Sequence, residues 1–230
     1  MRRVRAELRR VAATHLAGRR ASLCVDVGGG TSRYRDVLPS ERFVSLDIAA
    51  RDSTSVVGDL TALPLASGSV ELITCLQVLE HVRDTRAALS ECRRVLTPNG
   101  HLIVAVPLLY GEHDVVDYWR WTRLGMRTAL EDAGLEVLEV TAYGGYFMSL
   151  GVMLGRFPGV VLGRASQGWT ANGDARDYAR YALHAALGLP FTLAANALER
   201  LDRLDVRQDD AAGLIAVARR PALPHTDGRP

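Results

Sequence analysis

Between Leu23 and Val106 short apolar runs alternate with helix-compatible segments. That alternation confines the chain to βα units wound on a largely parallel sheet. The runs Leu23–Val27, Phe43–Leu46, Ser55–Val57, Leu72–Leu76 and Leu102–Val106 read as strands. Helices are expected directly after Gly30, over Arg83–Leu96 with Val82, Leu89 and Val95 as apolar positions, and around Thr122–Ala133. Thr122 is placed to cap the N-terminus of the last of these and Gly134 its C-terminus. Further strands are expected at Glu136–Ala142 and Gly213–Ala218, and the polar tail from Pro221 is expected to fray.

With 230 residues, about one and a half ordinary domains, the chain is expected to form one elaborated domain rather than two. Its 48% hydrophobic and 23% charged residues fit a soluble globular protein and exclude disordered, collagen-like and polytopic membrane classes. A formal charge of +2, with no basic stripe interleaved with aromatics, argues against a nucleic-acid partner. All 28 Lys-plus-Arg residues are arginine, which removes Schiff-base and P-loop lysine chemistry. The 3 cysteines, Cys24, Cys75 and Cys92, have neither disulfide-framework nor zinc-site spacing, and a reducing cytoplasm is the expected location. Residues 1–20 lack the apolar run of a signal peptide. There Val4, Leu8 and Val11 mark an amphipathic helix, read foremost as a solvated one, with lid and partner helix as alternatives.

Residues 144–210 separate the last two expected strands and carry the apolar stretches Tyr146–Leu162 and Tyr181–Leu198. A loop that long is rarely structureless, so helices are expected. The length of the second stretch is at the low edge for a bilayer, and Pro190 near its middle argues further against a span. This insertion reads as a cover for the core or for a substrate, or as a homodimer or peripheral membrane contact.

The segment Val25-Asp26-Val27-Gly28-Gly29-Gly30 runs from a strand into a glycine turn. Such turns bring backbone amides close to a ligand. Dinucleotides and S-adenosylmethionine both use them; a tight turn with no ligand is the alternative. The dinucleotide pattern G-x-G-x-x-G would need glycine where this chain has Arg33, which weakens that reading. Further polar residues fall at successive strand ends, where a nucleoside-binding sheet needs them. Asp47 is placed to accept from ribose hydroxyls, or to cap a helix. Asp59 is placed to take an adenine amino group while Ile48 and Leu60 press on the ring, or to close a surface turn. Gln77, Glu80 and His81 put an amide, a carboxylate and an imidazole at the rim of the same crevice.

Taken with Leu63-Pro64, Val78-Leu79-Glu80-His81-Val82 and Arg94–Val104, these residues give the chain a close resemblance to a class I S-adenosylmethionine-dependent methyltransferase. The resemblance is to the type 11-like group with a Leu-Glu-His signature after the fourth strand. It implies a Rossmann-like α/β fold: a seven-stranded, mostly parallel sheet with an antiparallel last strand and helices on both faces. The cofactor-binding core would span 21–143 and 211–220, with a helix at 1–20 and a helical insertion at 144–210. It implies S-adenosyl-L-methionine as cofactor and S-adenosyl-L-homocysteine as product. Asp26, Gly28, Gly29 and Gly30 would lie near the methionine part, Asp47 and Ile48 at the ribose and ring, Asp59 and Leu60 at adenine, and Gln77 beside the sulfonium.

The segment after the fifth strand, with His113 and Asp117-Tyr118-Trp119-Arg120-Trp121-Thr122, is similar to a subgroup of bacterial methyltransferases associated with glycan or secondary-metabolite pathways. It marks Tyr110, Asp117, Tyr118, Arg120 and Trp121 for acceptor binding, and His113 or His81 as general base. A loop tied down by hydrogen bonds is the alternative. No metal is expected, because no His/Asp/Glu set beyond His113, Asp114 and Asp117 has ligand spacing. The motif of base-amino methyltransferases is absent after the fourth strand. The implied reaction is methyl transfer to an oxygen, nitrogen or carbon of a small-molecule acceptor, a secondary metabolite, glycan or lipid-linked compound. The alternatives are a non-catalytic or membrane-associated module on this fold and a nicotinamide-dependent oxidoreductase.

Overall fold

The interior of β5 (Leu96–Pro107) is apolar without alternation: Leu102 to Val106 are all 1% exposed or less. A strand reads this way when both faces of its sheet are covered. The computed structural model describes residues 2–30, 33–161, 188–191, 193–198, 200–205 and 208–222. In it β5 joins β1 (Ala21–Val27), β2 (Ser40–Asp47), β3 (Val56–Val57), β4 (Val70–Leu76), β6 (Glu136–Tyr143) and β7 (Gly213–Arg219). Together they make one 7-stranded sheet in the order β3-β2-β1-β4-β5-β7-β6. Strands β1 to β5 run parallel, and β7 is antiparallel to both neighbours. From β1 the chain winds outward to β2 and β3, then returns to β4 on the other side. The carboxyl ends of β1 and β4 therefore frame the crevice where such sheets bind ligands.

The helix expected directly after Gly30 is not found among the described residues. Among the described residues the connection from β1 to β2 has only a 3-10 turn at Arg35–Val37, and β2 starts at Ser40. The span from residue 31 to 39 is too short for a helix and its return to the sheet. The face left uncovered is taken by α1 (Arg2–His15), which corrects the reading of a solvated helix. Val4, Leu8 and Val11 are 7%, 0% and 0% exposed. They share a cluster with Leu76, Ile103, Ile215 and Val217 on the sheet and Tyr34, Val37 and Leu38 from the short connection. Arg10 and His15 tie α1 to Glu139 of β6 at 2.5 and 2.7 Å.

Helix α2 (Thr85–Val95) is capped by Asp84, which accepts from the Ala87 amide, and buries Ala88, Leu89, Cys92 and Val95 at helical spacing. Helix α3 (Arg123–Asp132) is capped by Thr122, as expected, and ends before Gly134 in the left-handed conformation, φ +76°.

The sheet unit comprises Met1–Leu108, Glu112–Tyr143 and Gly213–Pro230, and a second unit comprises Leu109–Gly111 and Gly144–Ala212. In the second, α4 (Tyr146–Val161) is the helix expected of the first apolar stretch. Its N-terminus is capped from far along the chain by the buried carboxylate of Asp202, which accepts from Gly145 N at 2.7 Å and Met148 N at 3.0 Å. The second stretch lies partly outside the described residues; residues 188–191 and 193–198 of it are helical. Among the described residues no helix is long and apolar enough to cross a membrane.

Candidate functional site

The site begins with a charge beneath a glycine turn. Asp26, near the end of β1, is 2% exposed and accepts a 2.6 Å hydrogen bond from the Thr74 hydroxyl on β4. Burial pushes its carboxyl up to about 6 against the pull of that hydrogen bond. Above it the chain turns at Gly28, φ +64°, where a Cβ would sit 2.3 Å from Val78 Cγ2; at Gly29 a Cβ would sit 2.6 Å from Asp26 Oδ2. The protein's own packing thus demands these two glycines. At Gly30, φ +48°, a Cβ would meet nothing nearer than the Gly28 carbonyl at 4.0 Å, so that position faces open space. Asp26, the three glycines, Arg33, Tyr34, Leu76 and Gln77 line a cleft of about 170 Å³ that is open to solvent.

Gln77 takes the left-handed conformation, φ +59°, a strain that surroundings must hold in place. Its amide donates to the Ala105 carbonyl at 2.8 Å and its side-chain nitrogen to Tyr143 Oη at 3.1 Å. Asp47 is 8% exposed. Its Oδ1 accepts from Ala49 N at 3.1 Å and its Oδ2 lies 4.0 Å from Arg51 Nε. Beside it Ile48 is 74% exposed, whereas Leu60 turns inward at 5%. Asp59 closes a turn, its Oδ1 accepting from both the amide and the hydroxyl of Thr61 at 2.8 Å. Sequence reasoning missed Thr74, Tyr34 and Tyr143. Thr74 becomes visible only with the register that pairs it with Asp26, and Tyr143 only when β6 is placed beside β7.

After β4 a 3-10 turn, Leu79–His81, carries the Leu-Glu-His residues. Glu80 is 0% exposed, and burial lifts its carboxyl to about 7, against the pull of His81 and Arg120. His81 Nε2 stands 3.8 Å from Glu80 Oε1, and its Nδ1 faces the Val116 carbonyl at 2.5 Å. The His113 ring meets that of His81 edge-on, centroids 5.1 Å apart. Burial lowers the His113 pKa, while Asp117 pulls it upward. Asp117 accepts from Arg120 at 2.5 and 2.8 Å and lies 3.0 Å from His113 Nδ1; the arginine holds it far below the usual carboxylate range. Tyr118 N donates to the Glu80 carbonyl at 2.8 Å and Trp119 Nε1 to the Val82 carbonyl at 2.9 Å. The loop after β5 is thereby tied to the turn after β4, while the ion pair of Asp117 and Arg120 fastens the loop to itself. Tyr118 is 51% exposed, Trp121 is partly buried, and Tyr110 belongs to the second unit. The ligand atoms of Glu80, His81 and His113 lie within 4.8 Å of one another, a grouping that spacing along the chain did not reveal.

Residues 25–104 match the family described as methyltransferase domain, and the order β3-β2-β1-β4-β5-β7-β6 with one antiparallel strand surrounds that match. Over that span the chain is similar to the methyltransferase domains of class I, S-adenosylmethionine-dependent enzymes. The chain is 36% identical over 95 residues to a malonyl-[acyl-carrier protein] O-methyltransferase of Methylococcus capsulatus, covering 34% of each chain. It is 45% identical over 56 residues to a demethylmenaquinone methyltransferase of Mycolicibacterium vanbaalenii, covering 24% of this chain and 25% of that one. The matches thus span about a third or less of these relatives' lengths. Its fold is also that of the 1,6-didemethyltoxoflavin-N1-methyltransferase of Burkholderia thailandensis, with a TM-score of 0.57 at 12% identity, covering 95% of this chain and 78% of that one. That structure holds 1,6-didemethyltoxoflavin and S-adenosylhomocysteine.

Proposed function

We propose that the chain transfers a methyl group from S-adenosylmethionine to a small-molecule acceptor. The observation that carries this reading is the glycine cradle: Gly28 and Gly29 are fixed by Val78 and Asp26, while Gly30 lines the solvent-open cleft of about 170 Å³. The cradle fits the cofactor, whose amino acid portion suits a turn of exposed backbone with a carboxylate beneath it. When bound, the cofactor supplies a methyl group on a sulfonium, an electrophile with a good leaving group.

In this reading Asp26 and Gly28–Gly30 hold the methionine portion, and Asp47 accepts from the ribose hydroxyls through the oxygen that Ala49 leaves open. Asp59 and Leu60 meet the adenine edge, the exposed Ile48 its face. Gln77, fixed by Ala105 and Tyr143, borders the reacting carbon. Catalysis is then mainly alignment and exclusion of water. His81 and His113 supply the imidazole chemistry for an acceptor that must lose a proton. Tyr118, Asp117, Arg120 and Trp121 form the acceptor side of the loop, and Tyr110, in the second unit, is read as an acceptor-binding residue.

The names of the curated relatives support a metabolite acceptor. In the second unit Met153, Leu189 and Leu193 are each more than half exposed, which supports an apolar acceptor, a second copy or a membrane surface as what it meets. Three buried, unpaired cysteines support a cytoplasmic setting. The reading is tested by calorimetric titration with S-adenosylhomocysteine. One equivalent is expected to bind, and Asp47→Ala to weaken it about tenfold or more. Absence of binding, or a variant indistinguishable from the parent, overturns it.

A further inference from the structure

Glu80 is fully buried, yet neither carboxylate oxygen has a hydrogen-bond partner among the described residues. A carboxyl group in that state either keeps its proton or calls for a compensating positive charge. His81 Nε2 is 3.8 Å from Oε1, beyond hydrogen-bond reach. The separation instead matches two ligands of one ion, which stand about 3.4 Å apart when each is about 2.1 Å from a tetrahedral centre.

The imidazoles are prepared in the same sense. His81 directs Nδ1 at the Val116 carbonyl, 2.5 Å away, and His113 directs Nδ1 at the Asp117 carboxylate, 3.0 Å away. Each Nδ1 is therefore the protonated nitrogen and each Nε2 carries the lone pair. This outer arrangement, a ring N–H held by a carbonyl or carboxylate, orients metal-ligating histidines generally. Glu80, His81 and His113 keep their ligand atoms within 4.8 Å of one another. His113 lies on an exposed loop, so a shift of about an ångström there closes the remaining distance to the spacing of a bound ion.

We propose that Glu80, His81 and His113 bind one first-row divalent cation. Two imidazoles and a carboxylate select an ion of the zinc, iron(II) or manganese class over magnesium or calcium, and leave coordination positions open. Asp117 is a positioning residue that holds His113. An open position suits an oxygen of the acceptor, whose proton affinity the cation lowers. That consequence rests on the methyl-transfer reading; the binding of the cation does not.

The test uses the full chain stripped with a chelator and titrated with Zn²⁺ by calorimetry and with Co²⁺ by visible absorption. One equivalent is expected to bind, with Co²⁺ bands of a nitrogen- and oxygen-ligated site. Glu80→Gln and His113→Asn are each expected to weaken binding at least about tenfold, and Asp117→Asn about 10–100-fold. Circular dichroism identifies any variant that fails to fold, and His113→Asn, on an exposed loop, keeps the test decisive if Glu80→Gln does. Absence of one-equivalent binding, or full affinity in both Glu80→Gln and His113→Asn, overturns the proposal. S-adenosylhomocysteine titrations on the same samples report separately on the methyl-transfer reading.

Discussion

The hydroxyl of Thr74 on β4 donates to the buried carboxylate of Asp26 on β1 at 2.6 Å, joining the strands that frame the cleft beneath the glycine turn. This places an ionisable group, with its carboxyl pushed up to about 6, where a cationic ligand would meet it.

Stability is expected to fall as pH rises through the interval set by Asp26. Its folded pKa of about 6 exceeds the ordinary 3.8, so between these values the folded chain keeps a proton that the unfolded chain has released. The penalty is absent below about 4 and fully present above about 6, on the order of 3 kcal/mol. Urea unfolding at pH 4.5 and 7.5 checks this: Asp26→Asn, which preserves an acceptor for Thr74, is expected to flatten the dependence and to be the more stable protein at the higher pH.

Cofactor affinity is expected to move the opposite way. A cationic ligand over Asp26 favours the ionised carboxylate, so affinity for S-adenosylmethionine rises with pH through about 6 and binding near that pH releases a proton. Calorimetry in buffers of different ionisation enthalpy reads the proton directly. Asp26→Asn is expected to bind more weakly and to lose the proton release.

Gly29→Ala and Gly30→Ala are expected to part company. The new Cβ at 29 would stand 2.6 Å from Asp26 Oδ2 and 3.0 Å from Ser45 Oγ, overpacking worth roughly 1–3 kcal/mol of stability. At 30 a side chain takes φ +48° with no described atom nearer than 4.0 Å, a cost of roughly 1–2 kcal/mol, and the position lines the cleft. Thermal melts with and without S-adenosylhomocysteine separate the two effects; wild-type affinity in Gly30→Ala would count against the cradle.

In the second unit, Asp202→Ala removes the acceptor for Gly145 N and Met148 N at the start of α4. A loss of about 1–2 kcal/mol is expected, read as faster hydrogen exchange at those two amides, with exchange in β4 unchanged.

Much of the fold was legible because β5 and β7 are continuous apolar runs and because Asp47 and Asp59 follow strands that periodicity could find. The glycine turn was equally plain. Position α1 was not: arginines flank Val4 and Leu8, and an Arg-rich stripe reads as solvated until the missing helix between β1 and β2 is known. Thr74, Tyr143 and the Glu80–His81–His113 grouping depend on register or on two loops meeting, and the cap at Asp202 on a contact across 57 residues. Pair relationships of that range leave no local mark in one sequence.

The seat of α1 also orders events during synthesis. Leu8 and Val11 pack in one cluster with Ile215 and Val217 of β7, yet the helix is made long before that strand. Tyr34, Val37 and Leu38 are made soon after the helix and take part of its apolar stripe, but the cover is completed only when β7 leaves the ribosome, so the closing strand of the sheet also finishes the shelter of the chain's start.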